Sequence, residues 1–151
     1  MRRGALAVVP LAALAFVACE TVDLGVPPAD INACRPSQQF FVDAIWPMLI
    51  AQDYAGVHCY DATCHGGASN NSLRLIFPPV TGMDSTGTVS IPLTGDWAAN
   101  YKSTTQQMNC SNVAASKLLT LPTNQLPHRG GALIMRDGPE AQLIQMWVSQ
   151  P

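Results

Sequence analysis

The sequence has few charged residues and no apolar run long enough to span a membrane. Only 12% of its 151 residues are charged, so uncharged polar side chains and glycine must cover much of the folded surface. The longest apolar run covers residues 4–18 and contains Pro10, whereas a stable transmembrane helix needs about 20 apolar residues. This shortage excludes a transmembrane helix at the start of the chain. Because Arg2 and Arg3 precede the run, the pattern instead predicts a secretory signal.

The end of the apolar run predicts how this signal is processed. Phe16-Val17-Ala18-Cys19 resembles a bacterial lipobox, in which the cysteine becomes the lipid-bearing first residue. We therefore expect residues 1–18 to be a lipoprotein-type signal peptide and Cys19 to be the lipid anchor. A simple signal peptide cut near Ala18 is the alternative. In both cases the protein is expected to be exported to the periplasm or the cell surface, and the anchor alone would hold it at the outer membrane.

Basic residues are also scarce. Without residues 1–18 the chain keeps 6 of its 8 Lys and Arg residues against 10 Asp and Glu residues, a net charge of −4 with neutral histidines. This mild acidity argues against nucleic acid or an anionic membrane surface as a partner. The sequence has no visible internal repeat, so we expect one functional site rather than a series.

The cysteines are even in number once Cys19 is set aside. Outside the cytoplasm free thiols tend to oxidise, so an even set predicts either two disulfides or one disulfide plus a cofactor attachment. The four residues are Cys34, Cys59, Cys64 and Cys110. No C-x-x-C pair is present, which argues against a redox-active disulfide. The simplest assignment pairs Cys34 with Cys110, although spacing alone does not fix that pairing.

Residues 19–36 contain three prolines and no periodic pattern, which predicts a tether to the folded domain. Ser37 is a suitable N-cap for a helix that begins at Gln38. The apolar residues that follow at helical spacing are Phe41, Ile45, Met48 and Leu49. Pro47 lies within this pattern and is expected to kink the helix or divide it into two. The helix should end near residues 54–56.

The rest of the chain predicts a mainly α-helical domain over residues 37–151, with long irregular loops. Residues 68–96 are rich in Asn, Pro and Gly and leave room for one short β-hairpin. Three further helices are expected, at residues 97–107, at residues 114–119, and at the end of the chain after a cap at Asp137 and Gly138. The last of these is the best marked, since Pro139 takes a first-turn position. Its apolar stripe consists of Leu143, Ile144, Trp147 and Val148.

The chemistry of the sequence is concentrated in Cys59-Tyr60-Asp61-Ala62-Thr63-Cys64-His65. In proteins that hold haem covalently, two thiols add across the vinyl groups of the porphyrin, and the histidine after the second cysteine binds the iron. Here four residues separate the cysteines rather than the usual two. Gly66 and Gly67 then remove side-chain bulk where the backbone must pass the ring. Cys59, Cys64 and His65 are therefore predicted to attach the haem and to supply its proximal ligand.

The surrounding segments resemble the cytochrome-c-like domains of bacterial surface and periplasmic proteins. The resemblance spans about residues 37–149 and is carried by residues 45–49, 59–66, 116–122, 128–131 and 143–148. It is weakest across residues 68–105. The resemblance implies a mostly helical fold with one covalently bound haem c, in which the first and last helices cross beside the haem.

A second axial ligand is expected from the other face of the haem, and His128 is the predicted one. Pro127 stiffens the chain beside it, while Gly130 and Gly131 allow the backbone close to the porphyrin. The resemblance also places a histidine in this block. Methionine ligation would raise the reduction potential, and two histidines would lower it. The alternative distal ligands are Met135, then Met108, with Met83 as a further candidate.

These features predict a single-haem electron-transfer protein of the bacterial cell envelope. We expect an electron carrier rather than an enzyme, and we expect its partners to be redox proteins of the envelope. The alternative is an exported lipoprotein without haem, stapled by Cys59–Cys64 and Cys34–Cys110 disulfides and acting as a binding or structural module. A zinc site built on the motif is less favoured, because adjacent residues rarely bind one ion together. A haem peroxidase would need an open iron site with acid–base groups, which the sequence does not identify.

Overall fold

The computed structural model describes residues 35–67 and 71–150. The predicted signal peptide, the lipid-anchor residue Cys19, the rest of the tether up to Cys34 and the terminal residue lie outside this range. The helices are α1 (Gln38–Phe40, continued by a π-helix over Phe41–Ile50), α2 (Gly95–Thr105), α3 (Lys117–Thr120) and α4 (Pro139–Val148). The described chain is thus mainly helical, as predicted. None of these helices combines the length and the apolar character needed to cross a bilayer.

The first helix begins where the sequence predicts. Ser37 caps it, because its side-chain oxygen accepts a 3.2 Å hydrogen bond from the N–H of Phe40. Pro47 does not divide the helix, which widens into a π-helix around it. The N–H of Ala51 accordingly reaches back five residues to the carbonyl of Trp46 at 2.7 Å. The wider turn accommodates a proline that has no N–H to donate, and the helix ends earlier than predicted.

The first and last helices pack together around buried aromatic rings. Phe41 and Trp147 are fully buried, and their rings stack with centroids 5.6 Å apart. The ring of Tyr101 from α2 meets both of them edge-on. The predicted final helix is confirmed, with Gly138 at its N-cap and Pro139 in its first turn. Its buried residues are Ala141, Leu143, Ile144 and Trp147.

The segment before α2 is irregular, as predicted. The expected hairpin is reduced to one antiparallel bridge between Met83 and Val89. Asp84 closes the turn between them, since its Oδ1 accepts hydrogen bonds from the N–H groups of Thr86 and Thr88 at 2.8 and 3.0 Å. A single bridge with this side-chain support takes the place of a paired strand ladder.

The short helices differ from the prediction at their ends. Helix α2 begins and ends two residues earlier than the expected range of 97–107. The helix expected over residues 114–119 forms as two pieces, a 3₁₀ turn at Val113–Ala115 and α3. Ser116 separates them because its backbone is extended, with φ −63° and ψ 133°. Its buried hydroxyl instead accepts a 2.8 Å hydrogen bond from the N–H of Asn109.

Candidate functional site

The loop that carries the two cysteines and the histidine is closed by its own hydrogen bonds. The N–H of His65 donates to the carbonyl of Cys59 at 3.1 Å, and the N–H of Gly66 donates to the carbonyl of Asp61 at 3.0 Å. The carboxylate of Asp61 in turn accepts a 2.7 Å hydrogen bond from the N–H of His58. These bonds hold the predicted attachment residues and the predicted proximal ligand in one compact turn.

Gly66 occupies a position in this turn where no side chain fits. A Cβ atom added there would collide with the carbonyl oxygen of Tyr60. The backbone of Gly66 also forms a parallel bridge with Leu75. The sequence predicts a small residue at this place because of the porphyrin, whereas the structure adds a second reason, the loop's own backbone.

Residues 73–75 hold both the ring and the backbone of His65. The ring Nδ1 lies 3.2 Å from the carbonyl oxygen of Leu73, and the N–H of Leu75 donates to the carbonyl of His65 at 2.9 Å. Because a carbonyl oxygen only accepts, this contact places the proton on Nδ1 and leaves a lone pair on Nε2. Burial lowers the pKa of His65, the contact with Leu73 opposes that effect, and the nearby His128 reinforces it. The ring is thus favoured in the neutral form that binds metals.

His128 is held in a matching way by the residues that follow it. Its Nδ1 lies 3.1 Å from the carbonyl oxygen of Gly131, and the N–H of Gly131 donates to the carbonyl of His128 at 2.9 Å. Gly131 has a φ of +72°, a conformation that favours glycine. Gly130 lies against the ring itself, since a Cβ atom added there would be 3.1 Å from Cε1 of His128. The two glycines therefore permit a tight turn around the imidazole.

The rings of His65 and His128 form a pair although the two residues are far apart in the sequence. Their ring centroids are 6.2 Å apart, and their planes are 13° from parallel. Two imidazoles bound on opposite sides of one metal ion, at about 2 Å each, would have ring centres about 6 Å apart. Within the described residues neither Nε2 atom has a hydrogen bond, while both Nδ1 atoms have one. The Nε2 atoms of His65 and His128 are thus the ring nitrogens left for a metal centre.

The methionines predicted as alternative distal ligands lie in other settings. Met135 is 72% exposed, and Met83 belongs to the bridge before α2. Met108 packs against the hydrophobic core. His128, by contrast, lies against the predicted proximal ligand, because its ring is paired with that of His65.

The two cysteines of the motif are free thiols. Cys59 is half-buried, and its Sγ lies 3.8 Å from the carbonyl oxygen of Leu49. Burial raises the pKa of Cys59 to about 11, with a further contribution from Cys64, so this thiol is protonated at neutral pH. The Sγ of Cys64 lies 4.0 Å from the hydroxyl of Thr63. Both sulfurs are therefore present as thiols rather than as the staple of the alternative hypothesis.

Two histidines alone suit a metal that already has other ligands, such as the iron of a porphyrin. Across residues 35–67 and 71–150, no three His, Cys, Asp or Glu side chains come together to hold a metal ion. A porphyrin supplies four nitrogens and requires only axial ligands from the protein. The paired histidines fit the need for two ligands to the iron, and the two free thiols fit the need for covalent attachment. Cys110 is disulfide-bonded, and its predicted partner Cys34 lies outside the described residues.

Several groups that position the site carry no signal in the sequence. The carbonyl groups of Leu73 and Gly131 orient the two histidines, yet every residue has a carbonyl group. The ring of Tyr60 stacks between His58 and Phe77, at centroid distances of 4.8 and 3.7 Å. An aromatic residue between the two cysteines was the one visible hint of this packing.

Comparisons of the chain with protein-family models, with curated proteins and with solved structures find no match. The chemistry of the site is therefore inferred from its own residues.

Proposed function

We propose that this chain is a single-haem electron-transfer protein of the bacterial cell envelope, with haem c attached through Cys59 and Cys64. His65 and His128 would bind its iron through their Nε2 atoms, and the helical domain would be of the cytochrome-c-like type. The observation that carries the proposal is the pairing of the two imidazoles at 6.2 Å, with both Nδ1 atoms bonded to backbone carbonyls.

The order of residues in the motif loop supports covalent attachment. Each thiol adds its sulfur and its hydrogen across one vinyl double bond, which forms a carbon–sulfur bond and needs no oxidant. Cys64 would hold the porphyrin beside the next residue in the chain, and His65 would then be the side chain placed to bind the iron. Gly66 leaves room for the turn that this arrangement requires.

The hydrogen bonds at the two Nδ1 atoms define what the protein contributes to the iron. A histidine that donates its other ring N–H to an acceptor is fixed in orientation and is a more basic ligand. The carbonyl of Leu73 does this for His65, and the carbonyl of Gly131 does it for His128. Because histidine lowers the potential relative to methionine, we expect a carrier of low reduction potential.

The cellular setting is part of the same proposal. An exported chain with a lipid on Cys19 would sit at the outer membrane and exchange electrons with redox proteins of the envelope. Its net charge of −4 without residues 1–18 supports protein partners rather than nucleic acid. The competing hypothesis, a haem-free stapled module, requires a Cys59–Cys64 disulfide, whereas both thiols are free in the structure.

Haem attachment tests the proposal directly. The full chain is expressed in a bacterial host with a haem c maturation system, denatured and examined by mass spectrometry and by its pyridine haemochrome spectrum. The expected product carries one haem that survives denaturation. Cys59→Ser and Cys64→Ser should each leave a single thioether, and the double variant should lose covalent haem. Recovery of the bare polypeptide with Cys59 bonded to Cys64 would establish the stapled module instead.

A further inference from the structure

A groove of about 800 Å³ lies between the motif loop, residues 72–77 and the exposed face of α2. This volume falls within the roughly 300–1,000 Å³ typical of small-molecule sites. The predicted haem attachment residues and axial ligands do not line it, whereas Tyr60, Gly66 and Gly67 of the same loop do. The groove is thus a separate concave surface that shares a loop with the haem site.

One wall of the groove is aromatic and apolar. The rings of Tyr60 and Phe77 stack 3.7 Å apart and 7° from parallel, and both residues line the groove. Phe77 is 48% exposed and its neighbour Ile76 is 43% exposed. Large apolar side chains left open inside a concave surface favour a ligand with an apolar or aromatic body.

The charge lining the groove is positive although the chain is acidic. Arg74 and Lys102 line it, and they are two of only six Lys and Arg residues in the described part of the chain. Among the described residues that line the groove, Asp61 is the one acidic residue. The carboxylate of Asp61 is engaged with His58, by the backbone N–H at 2.7 Å and by the ring Nδ1 at 3.5 Å. Arg74 and Lys102 can therefore interact with an anionic group of a ligand in the groove.

The walls of the groove are fixed to each other before any ligand binds. The buried amide of Asn100 bonds to both backbone groups of Ile76, at 2.8 and 3.0 Å. The hydroxyl of Ser103 accepts a 2.7 Å hydrogen bond from the N–H of Arg74. The guanidinium of Arg74 also donates to the carbonyl of Gly67 at 3.3 Å. A preformed site of this kind loses little entropy on binding.

We infer that this groove binds a small organic anion with an aromatic body. The acid group of the ligand lies at Arg74 and Lys102, and its rings pack against Ile76 and against the ring edges of Tyr60 and Phe77. The inference goes beyond electron transfer and does not rest on haem, because the haem-site residues are not part of the lining. A failure of haem attachment and a failure of anion binding are therefore distinguishable.

Isothermal titration calorimetry with 2-naphthoate as the probe tests this inference on the full chain. Replacing both cations, as Arg74→Gln with Lys102→Gln, should weaken binding at least about tenfold, because the acid group loses its charged donors. The matched control replaces two cations outside the groove, as Lys117→Gln with Arg136→Gln, and changes the net charge equally. The control should bind as the unmodified chain does. Circular dichroism confirms that both variants are folded.

Two further measurements locate the probe and identify what it recognises. Binding should shift the amide NMR signals of Gly66, Gly67 and Ile76, and the neutral analogue 2-naphthamide should bind far more weakly. Absence of 2-naphthoate binding would overturn the inference. So would equal loss of affinity in the two double variants, or equal affinity for the acid and the amide.

Discussion

The indole N–H of Trp147 donates a 2.9 Å hydrogen bond to the carbonyl oxygen of Ser37, the residue that caps the first helix. A second hydrogen bond, from the N–H of Ser37 to the carbonyl of Gln150 at 2.9 Å, joins the same two parts of the chain. The ring of Trp147 is fully buried and stacks on Phe41. The two ends of the described part of the chain are thus joined by hydrogen bonds at one point.

Trp147→Phe should therefore destabilise the domain by more than the change in ring size alone. The variant loses buried area and leaves the carbonyl of Ser37 without its indole partner, so we expect a loss of about 2–3 kcal/mol in the free energy of unfolding. Trp97→Phe is the matched control, because Trp97 is 7% exposed and its Nε1 has no partner among the described residues. Urea unfolding compares the two variants. Equal losses would show that the bond to Ser37 adds nothing.

Asn100→Ala should separate α2 from the segment that orients His65. Asn100 is fully buried, and its side chain satisfies both the N–H and the carbonyl of Ile76. Its removal leaves two polar backbone groups unpaired, so we expect a loss of about 2–4 kcal/mol. Gln106→Ala, at the exposed C-cap of the same helix, should stay within about 0.5 kcal/mol. Matching urea midpoints for the two variants would contradict this account.

Local patterns were sufficient to predict the first and last helices of the domain. Ser37 and Gly138 flank the first and last helices as expected, because caps act over a few residues. The region around Pro47 was harder, since the sequence indicates a disturbed helix but not that a π-helix absorbs the proline. Element ends such as those of α2 depend on tertiary contacts and were misplaced by two residues.

The role of residues 71–77 could not be predicted because it depends on contacts between distant segments. Leu73 orients His65 through a carbonyl group, and Ile76 is held by the side chain of Asn100. Neither contact requires a particular side chain at residue 73 or 76. The opposition of His65 and His128 was expected only through the predicted haem, whereas the structure has the two rings paired within the protein alone.

His128→Ala should change the spin state of the proposed haem while leaving it covalently attached. Loss of the distal imidazole opens one axial position, so the spectrum should shift from low spin to high spin with the thioethers intact. Met135→Ala and Met108→Ala are the controls, and both should remain low spin. Optical and electron paramagnetic resonance spectra of the matured proteins give the readout. A low-spin spectrum in the His128 variant, lost in one of the methionine variants, would assign the distal ligand to that methionine.

The raised pKa of Cys59 should make its thiol slow to react in haem-free folded protein. Burial raises the pKa from 9.0 to about 11, and only the thiolate is nucleophilic. At pH 8 the thiolate fraction should therefore be about 100-fold lower than in the unfolded chain, where the pKa returns to its ordinary value. The rate of iodoacetamide alkylation is measured by mass spectrometry on the unsubstituted chain, where fragmentation of the peptide assigns the label to Cys59 or to Cys64. This rate should rise about tenfold per pH unit up to pH 11 in the folded protein, whereas in urea it should level off near pH 9.

Equal rates in buffer and in urea at pH 8 would mean that the sulfur of Cys59 is open to solvent, contrary to its half-buried position beside Leu49.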